Sequence, residues 1–200
     1  MILVVGAMVL EVGVTQQSSQ QESTPNAALC LGLGLMTGYY PGELNRTLDE
    51  LEDSDYFSRT RACGNIELGL GIADGWYLVG GARSYYDQTK GEGLLSTERV
   101  VIRFTGFAIG LRIYPSGVFV AELRAVRWWP ELELGSCLLF QELRIQGDPT
   151  WGAGGTVGFD FGRNQTGLAP MVGLAVDCVG LGGGATVLAS AFLNFVWKVG

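Results

Sequence analysis

Between Ala27 and Val199, large apolar side chains recur at every second position, and the positions between them are mostly small. Leu29, Leu31, Leu33 and Leu35 are separated by Cys30, Gly32 and Gly34. Ile66, Leu68, Leu70 and Ile72 alternate with Glu67, Gly69 and Gly71, and Val157, Phe159 and Phe161 alternate with Gly158 and Asp160. A period of two is the signature of an extended strand, whose successive side chains point to opposite faces. Nine strand-like segments follow, at about 28–40, 58–73, 76–88, 99–114, 118–129, 132–145, 150–162, 168–179 and 185–199. Short turns separate them, as in a meander; Asp74-Gly75 is the clearest hairpin signal. Ala185–Trp197 is apolar enough for a helix, but its parity favours a strand.

In the middle the parity slips. Val100, Ile102 and Phe104 share one face, whereas Phe107, Ile109, Leu111 and Ile113 share the other. One extra residue flips every later side chain, so a β-bulge near Thr105-Gly106 is expected.

Composition decides which face meets what. Charged residues are only 16% of the chain, and lysine occurs twice, at Lys90 and Lys198. A water-facing surface normally carries many charges. Glycine-rich strand faces make a poor soluble exterior but suit a narrow interior. The large apolar face then meets lipid, and only a closed barrel satisfies a sheet's backbone there. Tyr39, Tyr40, Trp76, Tyr77, Tyr85, Tyr86, Tyr114, Trp128, Trp129, Trp151 and Trp197 sit near segment ends, where aromatic girdles form. The expected fold is an all-β, antiparallel, up-and-down transmembrane β-barrel of about eight strands, or ten if residues 2–14 add one.

With the segments Gly69–Tyr77 (GLGIADGWY) and Gly110–Gly117 (GLRIYPSG), the chain resembles the small outer-membrane β-barrel proteins of Gram-negative envelopes over about 27–200. The resemblance implies an even strand number, an outer-membrane location and a structural, narrow-pore or surface-interaction role. The implied partners are the lipid bilayer and, through loops 41–56 and 88–98, lipopolysaccharide or other envelope proteins. Two other readings compete. One is a soluble lipocalin-like barrel whose leucine face lines a cup for an apolar ligand. The other is a self-assembling structural β protein.

Other classes are disfavoured. The chain has no histidine, which removes Ser-His-Asp triads, Cys-His pairs and histidine-ligated metals; no enzyme and no cofactor is expected. A net charge of −7 disfavours nucleic acid. Gly180–Ala185 matches G-x-G-x-x-A, but the acid a dinucleotide site needs about 20 residues on has no place before Gly200. Cys30, Cys63, Cys137 and Cys178 are scattered and read as small buried hydrophobes. Residues 2–14 read as a signal-like apolar core, and 15–26 as a polar linker before a single barrel domain at 27–200.

Two sets of charges remain. Asp49, Glu50, Glu52, Asp53 and Asp55 crowd one loop, a weak candidate for a divalent cation without EF-hand spacing. Arg61, Glu67, Arg103, Glu122, Arg124, Asp160 and Asp177 fall among the small residues and are expected to pair as a charge network that plugs the lumen.

Overall fold

The computed structural model describes residues 26–40, 46, 57–92, 97–136, 141–163, 165–181 and 184–199. The apolar N-terminal run, the five acids of segment 49–55 and Cys137 lie outside the described residues.

Nine strands form: β1 Ala27–Tyr39, β2 Phe57–Ala73, β3 Trp76–Glu92, β4 Thr97–Ser116, β5 Phe119–Ser136, β6 Gln141–Gln146, β7 Thr150–Asp160, β8 Gly167–Leu181 and β9 Gly184–Val199. All but β6 close into an antiparallel barrel, since β1 pairs with β9 and β4 with β5. The pairing can be followed round the wall. Ala27 faces Leu70, then Leu78, Leu111, Leu123, Gly155, Val176 and Ala189. Ala189 faces Thr37, so one circuit returns to β1 ten residues from its start. A stagger of this kind tilts the strands, typically by about 35–45°. At one end the connections are tight; Gly75 adopts φ 70° in the β2–β3 turn, a conformation that favours glycine.

The sixth expected segment, 132–145, is not a stave: 132–136 continue β5, and 141–145 belong to the short β6. β5 runs straight through Pro130, and β6 pairs only with its last six residues, from Glu131↔Gln146 to Ser136↔Gln141. Pro130 sits where the neighbour of β5 changes: β7 pairs up to Trp128, β6 begins at Glu131, and Gly147 N donates to the Pro130 carbonyl at 2.9 Å. A residue without an N–H is tolerated at such a seam. β2 to β6 therefore stand above the β7–β9 side as a projecting sheet. Segment 88–98, expected as a loop, is largely part of it, because β3 reaches Glu92 and β4 starts at Thr97.

The expected bulge at Thr105-Gly106 is absent. β4 pairs with both neighbours without interruption there, and its register shifts only between Ile113 and Ser116, beside the turn. What changes is the filling: Ile102 and Phe104 point inward to an apolar layer with Met36, Tyr85, Val126, Trp128, Val179 and Leu188. A barrel interior that is apolar at one level and ionic at another breaks any simple assignment of the apolar face to the outside.

Outside, Leu31, Leu33, Leu68, Leu70, Phe159, Leu174 and Leu193 are all exposed, as the alternation predicts. Trp76 and Trp197 rim the turn end of this apolar wall, and Tyr39, Trp129 and Trp151 its loop end. Tyr40, Tyr77, Tyr85, Tyr114 and Trp128 do not belong to the girdle; all five are buried in the interior. Their phenol and indole rings fill space that aliphatic side chains of adjacent strands cannot span.

Candidate functional site: a stacked interior plug

The interior is built in layers. In the middle, three arginines meet three carboxylates. Arg124 on β5 clasps Asp177 on β8, with Nε–Oδ1 and Nη2–Oδ2 both at 2.9 Å. Its Nη1 also donates to Glu122 Oε1 at 3.1 Å and Thr156 Oγ1 at 2.5 Å. Arg112 on β4 bridges Glu122 at 2.7 Å and Glu67 at 2.6 Å. Arg83 on β3 contacts Glu67 and lies 3.6 Å from Glu122. All six are buried. Buried ions persist only when paired and hydrogen-bonded, and here the three positive and three negative charges balance across β2, β3, β4, β5 and β8.

Glycine on the neighbouring strand makes the room. Gly81 lies opposite Glu67, Gly110 opposite Arg124, and Gly154 opposite both Arg124 and Asp177. A Cβ on Gly154 would stand 1.7 Å from Asp177 Oδ1.

Toward the loop end, the apolar layer follows; Tyr85 and Trp128 rings pack at 5.6 Å, and the Tyr85 hydroxyl donates to Asp177. Above it, Asp87 accepts from Arg59 at 2.8 and 2.7 Å and from the Tyr40 hydroxyl at 2.8 Å, with Arg61 at 3.9 Å. Toward the turn end, Val120, Met171 and Val196 form a second apolar layer. Below them Asp160 accepts from Lys198 Nζ at 2.6 Å, Tyr114 at 2.7 Å and Gly162 N at 3.1 Å. The void beside Arg83, Tyr85 and Asn194 is about 10 Å³, space for one water at most.

Six of the seven residues expected in the lumen thus lie inside, but in three separate clusters. Glu67, Glu122, Arg124 and Asp177 share the central one, Arg61 belongs to the upper one and Asp160 to the lower one. Arg103 is the correction. It points outward, 3.6 Å from Glu131 on β5, because the uninterrupted register of β4 gives it the parity of Phe107 and Ile109. The same expected bulge hid Arg112, which keeps the inward parity of Tyr114. Arg59, Arg83, Asp87 and Lys198 were also missed; Arg83 and Asp87 share the parity of Tyr77 and Val79, a signal present in the sequence. Of the cysteines, Cys30 is buried and Cys63 half-buried as small fillers, but Cys178 is exposed on the outer wall. No group of metal-ligating side chains occurs among the described residues.

An apolar exterior around a closed, ion-paired interior defines a transmembrane β-barrel. Neither a protein-family model nor a curated protein matches the sequence. The fold has clear counterparts. The Yersinia pestis attachment invasion locus protein Ail, in complex with the heparin analogue sucrose octasulfate, superposes with a TM-score of 0.59 at 7% identity, covering 86% of this chain and 97% of Ail. A second Ail structure gives 0.53 at 8% identity, covering 87% and 99%. The N-terminal β-barrel domain of Pseudomonas aeruginosa OprF gives 0.47 at 9%, covering 88% and 100%. The chain has the fold of a small outer-membrane barrel.

Proposed function

We propose that this protein is a non-catalytic outer-membrane β-barrel whose sealed stave anchors a surface-facing sheet and loops, rather than a pore for solutes. The observation that supports this reading is the interior: a balanced ionic layer between two apolar layers, with a void of only about 10 Å³ beside Arg83 and Tyr85. An eight-stranded barrel is just wide enough for side chains to fill. The functional surface is then the loop end, where β3, β4, β5 and β6 extend beyond the lipid-facing wall. Short turns face the periplasm and longer connections the exterior in such barrels. The leucine face lies outside, which argues against a lipocalin-like cup. Closure of eight strands leaves the six-residue β6 as the edge of the projecting sheet, a short edge that argues against self-assembly through exposed strands.

The test has two parts. Unboiled protein should run as a compact, heat-modifiable band in detergent gels and should insert into lipid vesicles. In planar bilayers it should show no large, stable single-channel conductance. A large conductance would turn the reading into that of an open pore; solubility without detergent would end the membrane reading.

A further inference from the structure

The charged residues at the turn end of the barrel are dry although they stand at the ends of their staves. Asp160 is the last residue of β7 and Lys198 the last inward residue of β9, yet they are only 0% and 3% exposed. Side chains at an open barrel mouth meet water, so something lies across this one. The connections at 74–75 and 117–118 are tight turns, too short to cover it. The β7–β8 connection, 161–166, is longer, and it folds inward.

Gly162 brings the connection down onto the charged pair. Its carbonyl accepts from Lys198 Nζ at 2.7 Å, and its N–H donates to Asp160 Oδ1 at 3.1 Å. A Cβ on Gly162 would stand 2.1 Å from that of Ala169, so a glycine is needed for the chain to lie this low. Arg163 then reaches across the mouth. Its guanidinium lies 5.2 Å from the centre of the Tyr114 ring, and its Nη1 donates to the Gly117 carbonyl in the β4–β5 turn at 2.7 Å. Its Nη2 lies 3.3 Å from the place of a Cβ on Gly75, in the β2–β3 turn. One side chain thereby meets both of the other turns at this end.

This hold is weak beside the rest of the interior. A neutral carbonyl and a ring face secure the half-buried Arg163, whereas Arg124 and Asp177 share two charge-assisted hydrogen bonds out of water. A segment held by few buried contacts opens locally at a lower free energy than the whole fold.

Resting on the reading of the interior as a sealed barrel, we propose that Arg163 is a latch and the β7–β8 connection a strap over the turn-end mouth. With the latch engaged, the Asp160–Lys198 pair is dry. With it released, water enters as far as that pair, while the three arginines and three carboxylates of the central layer keep the barrel shut. The strap therefore opens one end of the lumen without making a pore.

The chain has only two lysines, Lys90 and Lys198, so a charged amine-acetylating reagent reports on the mouth, with Lys90 at the loop end as the reference. In the full chain folded in detergent micelles, peptide mass spectrometry should show Lys90 acetylated several-fold faster than Lys198. Arg163→Ala should raise the Lys198 rate several-fold and leave Lys90 unchanged. Gln165→Ala, in the same connection but exposed, should change neither. Lys198 reacting as fast as Lys90 in the unmodified protein, or staying equally protected in Arg163→Ala, would overturn the latch. A large conductance of Arg163→Ala in planar bilayers would overturn the claim that the central layer stays shut. The heat-modifiable band separates the failures: an unprotected Lys198 with the band intact removes only the strap, whereas a missing band in the unmodified protein removes the barrel reading with it. Where Arg163→Ala fails to fold, hydrogen exchange of the unmodified protein decides the case. The Gly162 N–H should exchange faster than amides in the middle of β7 by about tenfold or more, as a locally opening segment does. Equal rates would mean that the connection opens only with the whole barrel, and the latch would be lost.

Discussion

Arg124 and Asp177 meet across a strand that belongs to neither of them. Both lie opposite Gly154 on β7, and their two-pronged contact passes over it at 2.9 Å per hydrogen bond. The glycine is therefore part of the ion pair. Gly154→Ala should displace Asp177 and destabilise the barrel about as much as Asp177→Asn, by about 3–5 kcal/mol for a broken buried pair. Gly69→Ala, whose new Cβ would meet nothing nearer than 3.6 Å, should be near neutral. Urea unfolding from detergent micelles measures both; equal losses at the two glycines would remove the steric argument.

Below the central layer, Asp160 is fully buried against Lys198 and Tyr114. Asp160→Asn should cost several times more stability than Asp148→Asn at an exposed position just before β7, since losing a buried charge partner is expensive and losing an exposed charge is not. The same unfolding assay decides this, and similar costs would mean that the lower cluster is not essential to the seal.

The proposed seal has two parts, an ionic layer and an aromatic one. Thinning the ionic layer with Glu122→Ala and Arg124→Ala leaves Tyr85, Phe104 and Trp128 in place, and Trp128→Ala leaves the ions. Each change alone should keep the barrel electrically silent in planar bilayers. The three together should yield a measurable conductance. Conductance from the ionic-layer variant alone would show that the aromatic layer does not block the path.

Leu33 and Leu123 are each 76% exposed in the middle of the outer wall. Arginine at either should cost about 2–4 kcal/mol at mid-membrane. Leu143 is also exposed, at 55%, but on β6 beyond the wall, so Leu143→Arg should cost less than about 0.5 kcal/mol, as surface changes usually do. Tolerance at Leu33 and Leu123 equal to that at Leu143 would contradict the membrane orientation.

The sequence by itself determined the strands, their alternation and which face of most staves meets lipid, because a side-chain period of two is a local property. Leu31, Leu68 and Leu174 could be assigned outward without any knowledge of their neighbours. The paucity of lysine and the glycine-rich opposite face settled the inside-out character for the same reason. What only the tertiary structure decided is how the interior is filled. Phe104 and Ile102 are apolar yet point inward, and Arg103 is charged yet points outward, so hydropathy misleads on β4 where backbone register does not. Whether Arg124 reaches Asp177 depends on a ten-residue stagger around eight strands, and on Gly154 lying between them. The pairing of β6 with β5 beyond the barrel likewise turned nine segments into eight staves. These are relations between strands distant in sequence, fixed only when the sheet closes on itself.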